Sequence, residues 1–570
     1  PRQRKEVRER PGTRWTELQE VPLSSMARAR ISMLFPLFCC STGAVATGLA
    51  SPKTTPPPPR VAARIAEAPW RRAYEPAGEW DRVECAVAGS SSLPPELSGV
   101  LYRNGAGRIR VGEALYSHWF DGDGFVTRLA LSSSSSSDSG VKAVSSGRYV
   151  RTARFLAQEG TTDQMVMRGA WTPRGDGGLL ANAGRLPTNP ANTNVARLPP
   201  DGKLYALCEG GRPVELDPRT LETNGGEYDA QGALNSPIPG LPPTTFGAHM
   251  RVDPSDGCAY NFGLNYGPSL GLKLMRIRPD GKVFSRKFSL PAMPLYHDLS
   301  LSGKYVLLTR TPYALTPKKV LGSLLGNSGM FEWNNEEGAH IDVYDKKTFE
   351  LIASVATPAF SCYHHVNAFE DEQGRTVLRV ERHNSDRLGV EKALSSMYDA
   401  WFTPELECSV HEYVLEIPSA KLLSHGRLDG GGTARAAELP CINPRFVGRP
   451  HRWAFRNALG ATCGCLQDVE KVDLLNEGRP IDRWSPGDGR YAGECVFIPR
   501  VAGPATTPCA PGEEDAGWLL SYVYDADSHT SDVVVLDARD LAAGPRWMVK
   551  LPAHVPPSFH GCWVPGAEAV

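Results

Sequence analysis

The stretch "VELDPRTLE" at residues 214–222 returns, loosely, as "IDVYDKKTFE" at 341–350 and "VVVLDARDLA" at 533–542. Each copy joins a strand-like apolar run to an Asp, two turn residues, a Thr or Asp, and a large apolar residue. That pattern predicts a hairpin whose Asp opens the turn by bonding its own backbone. The three aspartates, Asp217, Asp345 and Asp537, stand 128 and 192 residues apart, which are two and three times 64. A unit of that size is larger than one hairpin and fits a propeller blade with insertions; the roughly 490 residues from Trp80 onward hold about seven. A sandwich or barrel is the competing architecture.

The flanking sequence supports an all-β chain. "TNVARLPPDGKLYALCEGG" (193–211) sets two strand-like runs around Pro-Asp-Gly, and "LKLMRIRPDGKVFSRKFSL" (272–290) repeats the design. Segments of helical period are few. With 570 residues and 41% hydrophobic content, the chain has enough apolar side chains for a large core. The net charge of -1, from 62 basic and 63 acidic residues, offers no electrostatic footprint for nucleic acid.

Residues 1–65 differ in composition from the rest. No acidic residue lies between Met26 and Ala66, Arg28 and Arg30 precede the uncharged run "ISMLFPLFCCSTGAVATGLA", and "SPKTTPPPP" follows. This predicts a targeting leader and a Pro-rich linker ahead of a domain spanning 66–570, with a secretory signal or a plastid transit peptide as the alternatives. Thirteen cysteines include no C-x-x-C pair, so a zinc ribbon or a dithiol redox site is not indicated. Reduced, mostly buried thiols are expected.

A propeller gathers distant residues at one axis. His249 in "TTFGAHMRVD", His297 in "MPLYHDLSLSGKYVLL", the pair His364–His365 in "SCYHHVNAFEDE" and His560 in "PPSFHGCWV" each lie at or near a strand-like start. Their spacing is too irregular for a local metal clamp, and H-E-x-x-H is absent. Only a radial fold would unite them. Strand alternation sends His364 and His365 to opposite faces, and alternation alone does not choose between them.

From about Trp80 to the C-terminus the chain resembles the carotenoid cleavage oxygenases. The stretches that carry the resemblance are "LSGVLYRNGAG", "HWFDGDGFVTRLAL", "NPANTNVARL", "FGAHMRVDP", "YHDLSLSGKYVLL", "YHHVNAFED" and "SFHG", in the family's order. The resemblance implies a seven-bladed β-propeller with loops and short helices capping an axial Fe(II) site. The iron ligands it implies are His249, His297, His364 (chosen over His365 by the H-x-x-N-A spacing to Asn367) and His560. It further implies that Glu209 in "ALCEGG", Glu438 in "AAELPCINPRF" and Glu494 in "YAGECVFIP" accept the other ring N–H of three of these histidines, fixing tautomer and orientation.

The activity implied is oxidative cleavage of a conjugated double bond of a carotenoid or apocarotenoid by O2, giving aldehyde or ketone fragments without an organic cofactor. An isomerohydrolase-like member, a stilbene-cleaving member and an inactive propeller binding protein are the alternatives, although the P-D-P-C-K motif of the isomerohydrolase branch is absent and all four His positions are filled. A long apolar polyene implies a hydrophobic tunnel. "PKKVLGSLLGNSGMFEW" (317–333) sets Val320, Leu321, Leu324 and Leu325 at helical spacing behind Lys318 and Lys319, as a segment in peripheral contact with a membrane would. "FDGDGF" (120–125) lacks an EF-hand's spacing and is expected to be a Gly-rich hairpin turn, and "LSSSSSSDSG" (131–140) a surface insertion.

Overall fold

The computed structural model describes residues 69–566 apart from 90–91, 112–113, 117, 135–139, 160–168, 171, 173–187, 237, 240–241, 267–269, 291, 317, 320–330, 335, 337, 384–407, 429–434, 461–464, 477–478 and 501–511. The leader, and Val320, Leu321, Leu324 and Leu325, lie outside the described residues.

Seven antiparallel sheets of four or five strands form a β-propeller, and we number them as blades 1 to 7. Blade 2 runs from Asn194–Leu198 to Thr223–Glu227, blade 3 from Arg251–Val252 to Val283–Ser289, and blade 4 from Ser300–Leu301 to Leu351–Thr357. Blade 5 runs from His365–Glu370 to Lys421–Arg427, blade 6 from Ala437–Cys441 to Arg479–Trp484, and blade 7 from Arg490–Pro499 to Asp540–Lys550. In each the strands pair in chain order, starting from an inner strand. Blade 1 draws on both ends of the chain: the last strand, Ser558–Pro565, pairs with Gly99–Arg108, beyond which lie Asp123–Ser133, Val141–Tyr149 and Trp80–Cys85. Val87–Gly89 adds a fifth strand to the outer edge of blade 7. The two ends of the propeller chain therefore close the ring by pairing across it.

The repeated Asp stretches occupy one equivalent place, the turn between the third and fourth strands of blades 2, 4 and 7. Those blades are two and three apart, as the spacing of the aspartates predicts. Asp217 Oδ1 accepts from the N–H groups of Arg219 and Thr220, Asp345 Oδ1 from those of Lys347 and Thr348, and Asp537 Oδ1 from that of Arg539. The two Pro-Asp-Gly turns also match each other, with Gly202 and Gly281 at φ +64° and +82°, where a Cβ would strain the backbone.

Middle strands such as Gly517–Asp525, in "GWLLSYVYD", are buried on both faces and read as continuous apolar runs. Outer strands such as Lys421–Arg427 and Val283–Ser289 are mostly exposed and carry the charges that discourage edge-to-edge pairing. The core lies between blade faces. Leu307, Ile341 and Val355 of blade 4 pack against Leu378, Val380 and Tyr413 of blade 5. Leu101 and Leu129 of blade 1 meet Trp518, Val533 and Trp547 of blade 7 where the ring closes.

Two local features refine the sequence expectations. "FDGDGF" is not a hairpin turn: Trp119–Asp121 forms a 3-10 turn that feeds the strand Asp123–Ser133. Its aspartates are buried and therefore need partners. Asp123 lies 2.8 Å from Arg108 and 3.1 Å from Arg154, and Asp121 accepts from the Thr172 N–H. The Ser-rich run joins two paired strands of blade 1, since Ser133 and Val141 are register partners. None of the nine described cysteines forms a disulfide, and five of them are buried.

Candidate metal centre

Every blade contributes a histidine or a glutamate to the site. His249 lies two residues before the inner strand of blade 3, His297 three residues before that of blade 4 and His364 directly before that of blade 5, while His560 lies within the inner strand of blade 1. Glu438 and Glu494 sit in the inner strands of blades 6 and 7, and Glu209 follows the second strand of blade 2. The four histidines converge so that one nitrogen of each lies within 4.8 Å of the others. Nε2 of His249 is 3.0 Å from Nε2 of His297, and Nε2 of His364 is 3.2 Å from Nε2 of His560. Nitrogens about 2.1 Å from one ion and at right angles to each other lie about 3.0 Å apart, so these spacings suit a shared divalent ion.

The opposite ring nitrogens meet the carboxylates. His364 Nδ1–H donates to Glu438 Oε2 at 2.6 Å and His560 Nδ1–H to Glu494 Oε1 at 2.6 Å, while His297 Nδ1 lies 2.9 Å from Glu209 Oε1. This fixes the proton on Nδ1 and leaves the Nε2 lone pair for the axis. His249 has no carboxylate on its ring among the described residues. Burial, reinforced by the three neighbouring imidazoles, holds His249 well below the ordinary histidine range, which keeps it in the neutral form that binds metal. Burial alone would raise the three carboxyls, but His297, His364 and His560 hold Glu209, Glu438 and Glu494 below the usual carboxylate range.

His365 is engaged elsewhere. Its Nδ1 is 3.1 Å from Ser300 Oγ and its Nε2 3.0 Å from Thr309 Oγ1, so neither nitrogen is free for an ion. Asn367 also acts away from the axis. Its amide donates to the carbonyls of Phe446 and Arg449, binding blade 5 to the connection between the first two strands of blade 6.

Backbone irregularities aim several of these side chains. Register shifts fall between Glu438 and Cys441, between Ala492 and Cys495, and between Arg103 and Gly105. Leu439, directly after Glu438, takes φ +59°, a strained value for a branched side chain, and its N–H turns back onto Glu438 Oε2 at 2.6 Å. In "SFHG", Gly561 is required because a Cβ there would overlap the Tyr102 carbonyl oxygen across the ring-closing pair.

Three polar residues of the site have no counterpart in the sequence expectations. Arg103, 1% exposed, pairs with Glu494 at 2.5 Å and donates to the Phe559 carbonyl. Asp298 accepts from the His365 N–H and pairs with Arg251 at 2.5 Å, joining three blades. His383 contacts Glu438. A charged residue within the otherwise uncharged "GVLYRNG" was the one available signal for Arg103. An apolar wall adjoins the histidines: Phe559 is packed against Trp119 and Phe120, and Tyr363 lies against Phe120 and His297. Trp70 and Tyr74 of the short helix Pro69–Tyr74 complete this cluster.

A propeller with four axial histidines, three of them backed by carboxylates, defines a class of metalloprotein. Residues 74–565 match the model of the family described as retinal pigment epithelial membrane protein. The chain belongs to that family, the carotenoid cleavage oxygenase group its motifs resemble. It is 31% identical over 509 residues to apocarotenoid-15,15'-oxygenase of Synechocystis sp., covering 87% of this chain and 96% of the relative. It is 27% identical to isoeugenol monooxygenase of Pseudomonas nitroreducens, covering 83% and 93% of the two chains. The crystal structure of the cobalt-substituted Synechocystis apocarotenoid oxygenase superimposes with a TM-score of 0.75 at 29% identity, covering 87% of this chain and 98% of that one.

Proposed function

We propose that His249, His297, His364 and His560 hold Fe(II), and that the protein is a non-haem iron dioxygenase cleaving a conjugated double bond of a carotenoid or apocarotenoid with O2 to give aldehyde or ketone products. The observation that carries this reading is the convergence of four neutral-donor side chains from four blades, with Glu209, Glu438 and Glu494 behind three of them. Similarity to an apocarotenoid oxygenase and to a cobalt-substituted structure supports both the substrate class and a resident metal. When bound, Fe(II) supplies the electron density that triplet O2 needs to react with a closed-shell alkene.

The chain's own residues do the rest. The carboxylates keep each partner imidazole protonated at Nδ1 and in one rotamer, and their charge offsets that of the ion. Trp119, Phe120, Phe559 and Tyr363 form an apolar wall suited to a polyene, excluding water from the reacting carbons. The test is product mass over a panel of full-length carotenoids, apocarotenoids and an arylalkene, incubated under oxygen and under argon. Carbonyl fragments under oxygen alone are expected; equal product under argon overturns the dioxygenase reading.

We further assign residues 1–65 to a plastid-targeting leader and linker and 66–570 to the catalytic domain, a division supported by the start of the family match at residue 74. No helix among the described residues is long and apolar enough to cross a membrane. Peripheral contact through the segment 317–333 is the proposed route to a membrane-dissolved substrate. Liposome flotation should weaken when Leu321, Leu324 and Leu325 are changed to Ser, and unchanged flotation would contradict this contact.

A further inference from the structure

The three carboxylates behind the histidines are themselves held in different ways. Glu494 Oε2 is 2.5 Å from the guanidinium of Arg103. Glu438 instead faces a second imidazole: His383 Nε2–H donates to its Oε1 at 2.7 Å, while its Oε2 accepts from His364 Nδ1–H and from the Leu439 N–H. Both oxygens of Glu438 are thus engaged, each by a buried donor. His383, the last residue of the blade 5 strand Thr376–His383, is 8% exposed.

The backbone of His383 is fixed independently of the carboxylate. Its backbone N–H donates to the Ser361 carbonyl, three residues before His364, and across the sheet it pairs with Cys408. The contacts form a closed circuit across the boundary between blades 5 and 6. Blade 5 supplies both His364 and His383, blade 6 supplies Glu438, and the carboxylate is clamped between the two rings.

Cys408 Sγ also lies 3.6 Å from His383 Nε2, which makes His383, Cys408 and Glu438 a conceivable metal trio. The 2.7 Å separation of His383 from Glu438 decides against it. Two ligands about 2.1 Å from a tetrahedral ion would stand about 3.4 Å apart, whereas 2.7 Å is a charge-assisted hydrogen bond.

We propose that His383 is a positioning residue for the metal ligand His364, acting through Glu438. Without its N–H the carboxylate loses the donor on Oε1 and is free to rotate about its terminal bond, since His364 and Leu439 engage only Oε2. His364 would then lose the fixed acceptor that sets its ring orientation and basicity. The inference rests on the reading of His364 as a metal ligand.

The test is titration of the metal-depleted full-length protein with Co(II), following affinity and the visible ligand-field bands. His383→Phe and the smaller His383→Leu remove the donor, and whichever remains folded by thermal melting serves. His383→Gln restores an N–H at nearly the same place. The donor-free variant should bind Co(II) about 10–100-fold more weakly, with shifted bands. The Gln variant should stay within about threefold of wild type, with the wild-type spectrum, because the hydrogen bond is what matters. Wild-type affinity and spectrum in the donor-free variant would overturn the proposal, as would a Gln variant weakened as much as the donor-free one, which would assign the effect to packing. Failure of the wild type itself to bind Co(II) would instead overturn the four-histidine reading.

Discussion

His364 and His365 are neighbours in sequence with opposite surroundings. One ring points to the axis with Glu438 behind it; the other is enclosed by Ser300 and Thr309. Burial pushes His365 down to about 4, while an unfolded histidine titrates near 6.5. Between those values the unfolded chain binds one proton more than the native chain at this position. Stability contributed here is therefore intact above about pH 6.5 and falls as pH drops toward 4, by at most about 3 kcal/mol. Comparing denaturant midpoints of wild type and His365→Asn over that range should show a shallower acid slope in the variant; identical slopes would place the neutral-to-charged change elsewhere. The sequence separated the two histidines only through the motif spacing to Asn367, because the hydroxyls that satisfy His365 come from blade 4, more than fifty residues away.

At the scale of strands, what was legible is what local chemistry sets. The Asp-opened turns and the Pro-Asp-Gly hairpins follow from side chains bonding their own backbone, so Asp217, Asp345 and Asp537 could be read correctly as turns and even counted as blades. The register shifts beside Glu438 and Glu494 were not legible, since a bulge is set by the partner strand. Nor was "FDGDGF", where Arg108 and Arg154 draw Asp123 inward and the Thr172 N–H holds Asp121. The same holds for Glu381, Arg456 and Glu470, each no more than 1% exposed. Arg456 of blade 6 lies 3.5 Å from Glu381 of blade 5 and 2.7 Å from Glu470 of its own blade. Arg456→Met would strand buried negative charge across that boundary. It should cost about 3–5 kcal/mol in chemical denaturation, and a loss below about 1 kcal/mol would contradict the bridging role.

For the whole molecule, the blade count was legible but the closure was not, because pairing of Ser558–Pro565 with Gly99–Arg108 joins residues about 460 positions apart. That strand has two functions: it seals blade 1 and it carries His560. A chain ending at Pro557 should lose the cooperative thermal transition, as blade 1 is left with an unpaired edge and an opened core; a wild-type transition would show that the ring closes without it. The propeller is thus what makes the site: no two of the four histidines share a blade, and none could form a centre alone. The most direct measurement of that claim is iron per chain in the purified wild type and in single Ala variants of His249, His297, His364, His560 and His365. One iron per wild-type chain, its loss from the first four variants and its retention by His365→Ala are predicted; iron kept by His364→Ala and lost from His365→Ala would contradict it.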